Sequence, residues 1–308
     1  MNDSSAPAGL PEDEQARRRA GLLSGMGAYL LWGLLPLYFS VLAPADSFEI
    51  LAHRIVWCTV FCLLLLALTG GFRALRTALT DGKVLGTLAL AAVLVCGNWL
   101  VFLLGVMSGN VVEISLGYYI NPLLSILLGV FVLRERLRPL QWVAIGLAAA
   151  AVVVITVGYG AVPWFGLAVA VTFAGYGLVK NRVGAKVGAL SGLTVESIVL
   201  TPLALGWIGW TYLAGTATFS DEGSGHVLLM LLLGPATALP LLLFGSAARR
   251  IPLSWVGMLQ YVTPTMQFLT GVFLMGEEMS AARWAGFGLI WVACLVLITD
   301  MVRRARRR

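Results

Sequence analysis

Charge is what this chain is short of. Of its 308 residues only 12% are charged and 59% are hydrophobic, whereas a soluble domain carries about a quarter charged residues. Half the usual supply for a wetted surface is missing. Histidine is scarcer still: His53 and His226 stand alone and far apart, without the paired spacing of a zinc site. The four cysteines, Cys58, Cys62, Cys96 and Cys294, all fall inside apolar runs, and they read as small core or lipid-facing residues rather than as metal ligands or disulfides. No metal and no cofactor is expected. The equipment of a membrane enzyme is absent too, with no aspartate pair for diphosphates, no HExxH and no nucleophile–base set. There is no nucleotide-binding loop to make ATP a direct energy source. An enzyme is therefore not expected. The opening segment, residues 1–20, is polar and lacks a cleavable signal pattern, and it is expected to be a disordered cytoplasmic arm.

What the chain has instead is apolar length. Runs of around 20 residues recur from Gly21 onward, the length that spans a bilayer, and the mean hydropathy is +0.89. The short alternating segments of a β-barrel do not occur. The fold class expected is an all-α polytopic membrane protein with ten transmembrane helices. They fall near 21–41, 49–69, 84–106, 110–132, 139–158, 163–180, 190–213, 226–247, 252–275 and 281–301. Basic residues then gather in alternate segments: Arg17 to Arg19, Arg73 to Lys83, Arg134 to Arg138, Lys180 to Lys186, Arg249 with Arg250, and Arg303 onward. The intervening loops are neutral or acidic. By the positive-inside rule both termini are cytoplasmic. The net charge of +6 thus suits anionic lipid headgroups, and no nucleic-acid partner is expected.

Shifted by 142 residues, the fourth span reappears in the ninth. Tyr119, Pro122, Leu127, Gly129, Val130, Phe131, Glu135, Trp142 and Gly146 recur as Tyr261, Pro264, Leu269, Gly271, Val272, Phe273, Glu277, Trp284 and Gly288, without a gap. Each repeat holds five spans, an odd number, so the copies must be inverted relative to each other. The expected units are 21–158 and 163–302, followed by a basic cytoplasmic tail at 303–308. Inverted repeats are a common construction of secondary transporters, with the site near the midplane between the halves. This five-plus-five pattern, each half closing on F-x-x-x-E, resembles the EamA family of the drug/metabolite transporter superfamily. The stretches "AYLLWGLLPLYF" (28–39), "EILAHRIVW" (49–57), "NWLVFLLGVMSGNVVEISLGYYINPL" (98–123), "FAGYGLVKN" (173–181) and "PLLLFGSAARRIPLSWVGMLQYVTPTMQFL" (240–269) are similar to its RarD-type branch. The likeness departs at 102–107, where that branch has FIWAVN and this chain FLLGVM. It implies a permease with no defined substrate; the mostly neutral, aromatic-rich spans fit a small-molecule substrate such as a metabolite, amino acid or drug, crossing the inner (cell) membrane. A channel or lipid scramblase on the same helices is the alternative.

Polar residues inside the spans nominate a path. Pro122 and Pro264 are expected helix breaks that free backbone carbonyls near the midplane, with Pro36 and Pro240 as further breaks. Around them Tyr29, Trp32, Asn98, Tyr118, Tyr119, Asn121, Tyr176, Gln260, Tyr261, Thr263 and Gln267 are expected to converge on a substrate cavity. Charges inside a bilayer are costly and functional by default, which singles out Arg54, Glu113 and Glu196, with His53 as a titratable neighbour, for gating or charge coupling. Arg54 and Glu113 lie at similar depth and are the expected pair. Its role as gate, anion contact or proton relay is open, as are homodimer formation and coupling to protons or a counter-substrate.

Overall fold

A computed structural model describes residues 12–133, 137–183 and 186–306. Among them the chain forms α-helices and one π-turn: α1 (Glu12–Ser40), α2 (Ser47–Thr69), α3 (Phe72–Thr80), α4 (Gly82–Met107), α5 (Val111–Leu133), α6 (Pro139–Tyr159), α7 (Trp164–Asn181), α8 (Ala189–Ala214), α9 (Ser224–Ala248), α10 (Leu253–Leu259), α11 (Val262–Leu269), a π-helical turn (Thr270–Leu274) and α12 (Ala281–Arg306). Eight of these, α1, α2, α4, α5, α6, α8, α9 and α12, are each long and apolar enough to cross a membrane. With no water to satisfy backbone groups in the hydrocarbon layer, a helix is the form such segments must take. Local chemistry fixes their ends. Asp46 caps α2 by accepting from the N–H groups of Phe48 and Glu49, Asp81 caps α4 in the same way, and Gly70, Gly160 and Gly215 close their helices in the left-handed region.

The helices follow the expected apolar segments, with four differences. The arm is helical from Glu12, where Glu14 and Arg18 pair one turn apart and Arg17 reaches the Arg249 carbonyl; residues 1–11 lie outside the described residues. At the other terminus α12 continues through Arg306, with 307–308 outside. The basic connection after α2 contains α3, an amphipathic helix that buries Leu75 and Ala78 while Arg73 and Arg76 face outward. Finally, the prolines do not break their helices as expected. Pro36, Pro122 and Pro240 sit within continuous α1, α5 and α9, because neighbouring helices and local adjustment tolerate one missing bond. Only the ninth segment breaks, at Gln260–Tyr261. Pro264 then occupies the first turn of α11, where an absent N–H costs nothing.

Of four apolar clusters among the described residues, the two largest hold most of the bundle together. One gathers side chains from α1, α2, α4, α8 and α9, including Phe39, Ile50, Leu103, Met230 and Leu233; the other joins α5, α6, α11 and α12 through Leu116, Tyr119, Phe268, Phe287 and Ile290. The principal helix pairs are α6 with α12, α2 with α8 and α9, α5 with α7 and α11, α1 with α9 and α11, and α4 with α7. Outside them Leu23, Leu68, Val157, Trp164, Leu203, Leu213 and Phe273 are largely exposed, an apolar girdle suited to lipid rather than water. One end of the bundle carries Asp46, Asp221, Glu222, Glu277 and Glu278, and the other carries Arg73, Arg76, Lys186, Arg249 and Arg250. These are the acidic and basic ends below.

Candidate functional site

Arg54, two turns into α2, is 3% exposed. Its Nε–H donates to Thr237 Oγ1 on α9 at 2.9 Å. The Thr237 hydroxyl gives its own proton to the Leu233 carbonyl, so the lone pair it offers Arg54 is fixed. The guanidinium carbon lies 4.2 Å from the Trp99 ring centroid and 5.5 Å from that of Phe39, a cation–π arrangement that partly replaces lost hydration. Glu113 is elsewhere. Its Oε1 accepts from the backbone N–H of Phe165 at 2.6 Å and of Gly166 at 3.4 Å, at the N-terminus of α7. The expected Arg54–Glu113 pair is therefore not formed. A helix N-terminus, with unpaired N–H groups and the positive end of the dipole, is as good a partner for a carboxylate as a side-chain cation.

The same device recurs next door. Glu277 Oε1 accepts from Val111 N–H at 2.5 Å and Val112 N–H at 3.1 Å, capping α5. Arg283, which donates to the Glu278 carbonyl at 2.9 Å, lines a small cavity with Glu113. Beneath these caps Gly117 packs directly on the Gly166 backbone, and any Cβ there would collide with it. The acidic end is thus latched through α5 and α7. On the 142-residue offset Glu113 corresponds to Trp255, which is exposed and has no carboxylate to give. Glu135, the counterpart of Glu277, lies outside the described residues.

Glu196 forms an ion pair with Lys180 and accepts from the Tyr176 hydroxyl at 3.3 Å, while the Lys180 ammonium lies 5.5 Å from the Tyr176 ring. His53 accepts from Trp57 Nε1 at 3.2 Å and stacks on Phe219 at 4.5 Å. Glu49, absent from the expected set, is fully buried and holds the 218–219 turn through Thr218 N–H, Thr218 Oγ1 and Phe219 N–H. Its signal was present: Glu49, His53 and Trp57 form one i, i+4, i+8 stripe. Lys180 is likewise legible, four residues after Tyr176, but at the end of the sixth expected span it reads only as one of the basic residues that set sidedness. Thr237 and Trp99 gave no such sign.

The remaining expected residues divide between two helix seams. Asn98 donates to the Val169 carbonyl at 3.0 Å and to Thr172 Oγ1 at 3.1 Å, and accepts from Tyr118 at 3.4 Å, tying α4 to α7 and α5. Thr263 donates to the Tyr29 carbonyl at 2.8 Å, Tyr29 donates to the Val256 carbonyl at 3.3 Å, and Gln267 reaches the Trp32 carbonyl at 3.5 Å. These bonds fasten α10 and α11 to α1. Tyr119 shares a 2.8 Å hydrogen bond with Thr265 and stacks on Tyr261, ring centroids 6.3 Å apart. Gln260 is half-buried at the end of α10. Asn121 Oδ1 and Gln267 Oε1 are buried with no hydrogen-bond donor among the described residues.

Comparison with known proteins agrees with this architecture. Residues 19–157 match the EamA-like transporter family. The chain is 47% identical over 296 residues to Protein RarD of Streptomyces exfoliatus, covering 96% of this chain and 92% of that protein. It is 40% identical over 300 residues to the uncharacterized transporter YojE of Bacillus subtilis, covering 95% and 98%. A solved crystal structure shares the fold, with a TM-score of 0.61 at 20% identity over 93% of this chain and 99% of that one. The family description and YojE carry the name of a transporter, not of an enzyme. This chain belongs to the EamA-like transporter family, as a multi-pass, all-helical membrane protein.

Proposed function

We propose that the protein is a secondary carrier that moves a small organic solute across the inner membrane by alternating access between two inverted five-helix halves. One observation carries this reading: residues 142 apart touch their own counterparts. Thr59 Oγ1 lies 3.0 Å from Thr201 Oγ1, and Tyr119 stacks on Tyr261. Two copies of a residue related by a two-fold axis meet only where they flank that axis. Both contacts thus support a dyad running between α2 and α8 and between α5 and α11. On this reading α7 and the broken stretch 253–274 supply the two remaining spans of ten. The family match at 19–157 coincides with the first half, 21–158. The basic end and both termini face the cytoplasm.

Inverted halves give two packings of similar energy, each open to one side. The latch at the acidic end, where Trp255 stands at the counterpart of Glu113, supports a state closed to the outside. Asn121 and Gln267, each with an unspent buried oxygen, are the best candidates of the expected cavity set for contact with solute; Asn98, Thr263 and Tyr29 already have partners and act as fasteners. A proton or counter-solute gradient supplies the energy. Purified protein in proteoliposomes tests the reading. Saturable flux with counterflow of a preloaded solute is the expected result. Flux that never saturates and lacks counterflow indicates a channel or scramblase instead.

A further inference from the structure

We infer that Arg54 is the anchor for a carboxylate, and that the solute is an amphipathic organic monocarboxylate. The inference rests on the carrier reading and names the substrate class of its site. Arginine is charged at every accessible pH, and a lone buried cation is costly unless an anion meets it. Yet the carboxylates held within the helices are engaged elsewhere: Glu49 with residues 218–219, Glu113 with the α7 N-terminus, Glu196 with Lys180, Glu277 with the α5 N-terminus and Asp300 with Arg138. Among the described residues the only hydrogen bond of the Arg54 side chain is that from Nε to Thr237.

The two terminal amino groups therefore have no protein acceptor. Nor are they sealed in, since neither nitrogen is among the fully enclosed polar atoms that lack a partner. What little of Arg54 is accessible therefore lies at this amino edge. With Nε committed and one face of the guanidinium laid on Trp99, the free edge is the end-on pair of N–H groups. That edge matches the two coplanar oxygens of a carboxylate. Among the described residues Lys180 is neutralised by Glu196, and so it offers a multivalent anion no second free cation. The surroundings are aromatic: Phe39 meets Phe102 at 5.8 Å and Phe102 meets Tyr118 at 6.0 Å. These rings suit an apolar body behind the carboxylate.

Equilibrium binding to the full chain in detergent micelles provides the test, with benzoate and phenylacetate as probes and benzamide and phenylacetamide as their neutral counterparts. Tryptophan fluorescence and the thermal unfolding midpoint are the readouts. The acids should bind saturably and roughly ten- to a hundredfold more tightly than the amides, the range for a charge-assisted hydrogen-bonded pair. Arg54→Gln should remove that preference, and Arg54→Lys should keep only part of it, having charge without the fork. Acids that bind wild type no better than amides would overturn the inference, and that comparison needs no variant to fold. Unchanged acid binding by a folded Arg54→Gln protein would overturn it equally. Saturable counterflow of other solutes without any preference for acids would defeat this inference alone. Acid binding without saturable flux would defeat the carrier reading alone.

Discussion

Thr59 and Thr201 stand 142 residues apart in the chain and 3.0 Å apart in space, joining α2 to α8 through two copies of one repeat position. Each hydroxyl also lies within hydrogen-bond distance of a carbonyl one turn back on its own helix, Thr59 of Ile55 and Thr201 of Ser197. The local geometry is duplicated as well as the residue.

If these threonines flank a dyad, a cysteine pair placed there should bridge readily. In a background with Cys58, Cys62, Cys96 and Cys294 changed to Ala, Thr59→Cys with Thr201→Cys should cross-link through a short thiol reagent. A protease site in the 182–188 connection then gives the measurement on a gel. The halves should stay joined after cleavage, and their separation would show that α2 and α8 do not meet at this point.

Asn121 and Asn98 should respond in opposite ways to leucine. Asn98 has an engaged amide, and Asn98→Leu should lower stability by roughly 1–3 kcal/mol because its partners are left unpaired. Asn121→Leu removes a buried oxygen that has no donor, so the melting temperature should hold while saturable flux falls. Loss of folding in Asn121→Leu, with normal flux per folded molecule, would make that residue structural.

Charge couplings should follow the observed partners. Arg54→Leu and Glu113→Leu serve separate sites, so their effects on stability should add. Lys180→Met and Glu196→Gln share one ion pair, and their double mutant should be milder than the sum by roughly 1–3 kcal/mol. A double-mutant cycle on melting in detergent measures both. Coupling between Arg54 and Glu113 with none between Lys180 and Glu196 would contradict the arrangement described.

Gly117 should be far less tolerant than Gly146. A Cβ at Gly117 runs into the Gly166 backbone, whereas one at Gly146 meets nothing within 4 Å. Gly117→Ala should cost about 1–3 kcal/mol from overpacking. Gly146→Ala should be neutral or stabilising by up to about 1 kcal/mol through helix propensity. Thermal unfolding of the two variants side by side decides the point.

Sidedness is open to direct measurement. A reporter active only in the cytoplasm should work when fused after Arg308 and fail when inserted beside Ser224, which begins α9 at the acidic end. The reverse pattern would invert the topology and move the latch to the cytoplasmic face.

Much of this protein is written locally. Hydropathy over a window of about 20 residues reports whether a segment gains by leaving water, and so the long apolar helices and the alternation of basic and acidic connections were legible from the chain alone. The 142-residue repeat was legible because it is a property of sequence. Partnership was not. Whether Arg54 meets Glu113 depends on how α2, α5 and α9 are rotated and how closely they cross, and periodicity does not encode that. Backbone partners are also invisible to a reading of side chains: Glu113 and Glu277 are satisfied by N–H groups at helix starts, and every residue type except proline supplies one. The break at Gln260–Tyr261, with α5 continuous through Pro122, is of the same kind. Two copies of one motif took different backbones because their neighbours differ, and only the packed structure decides which copy bends.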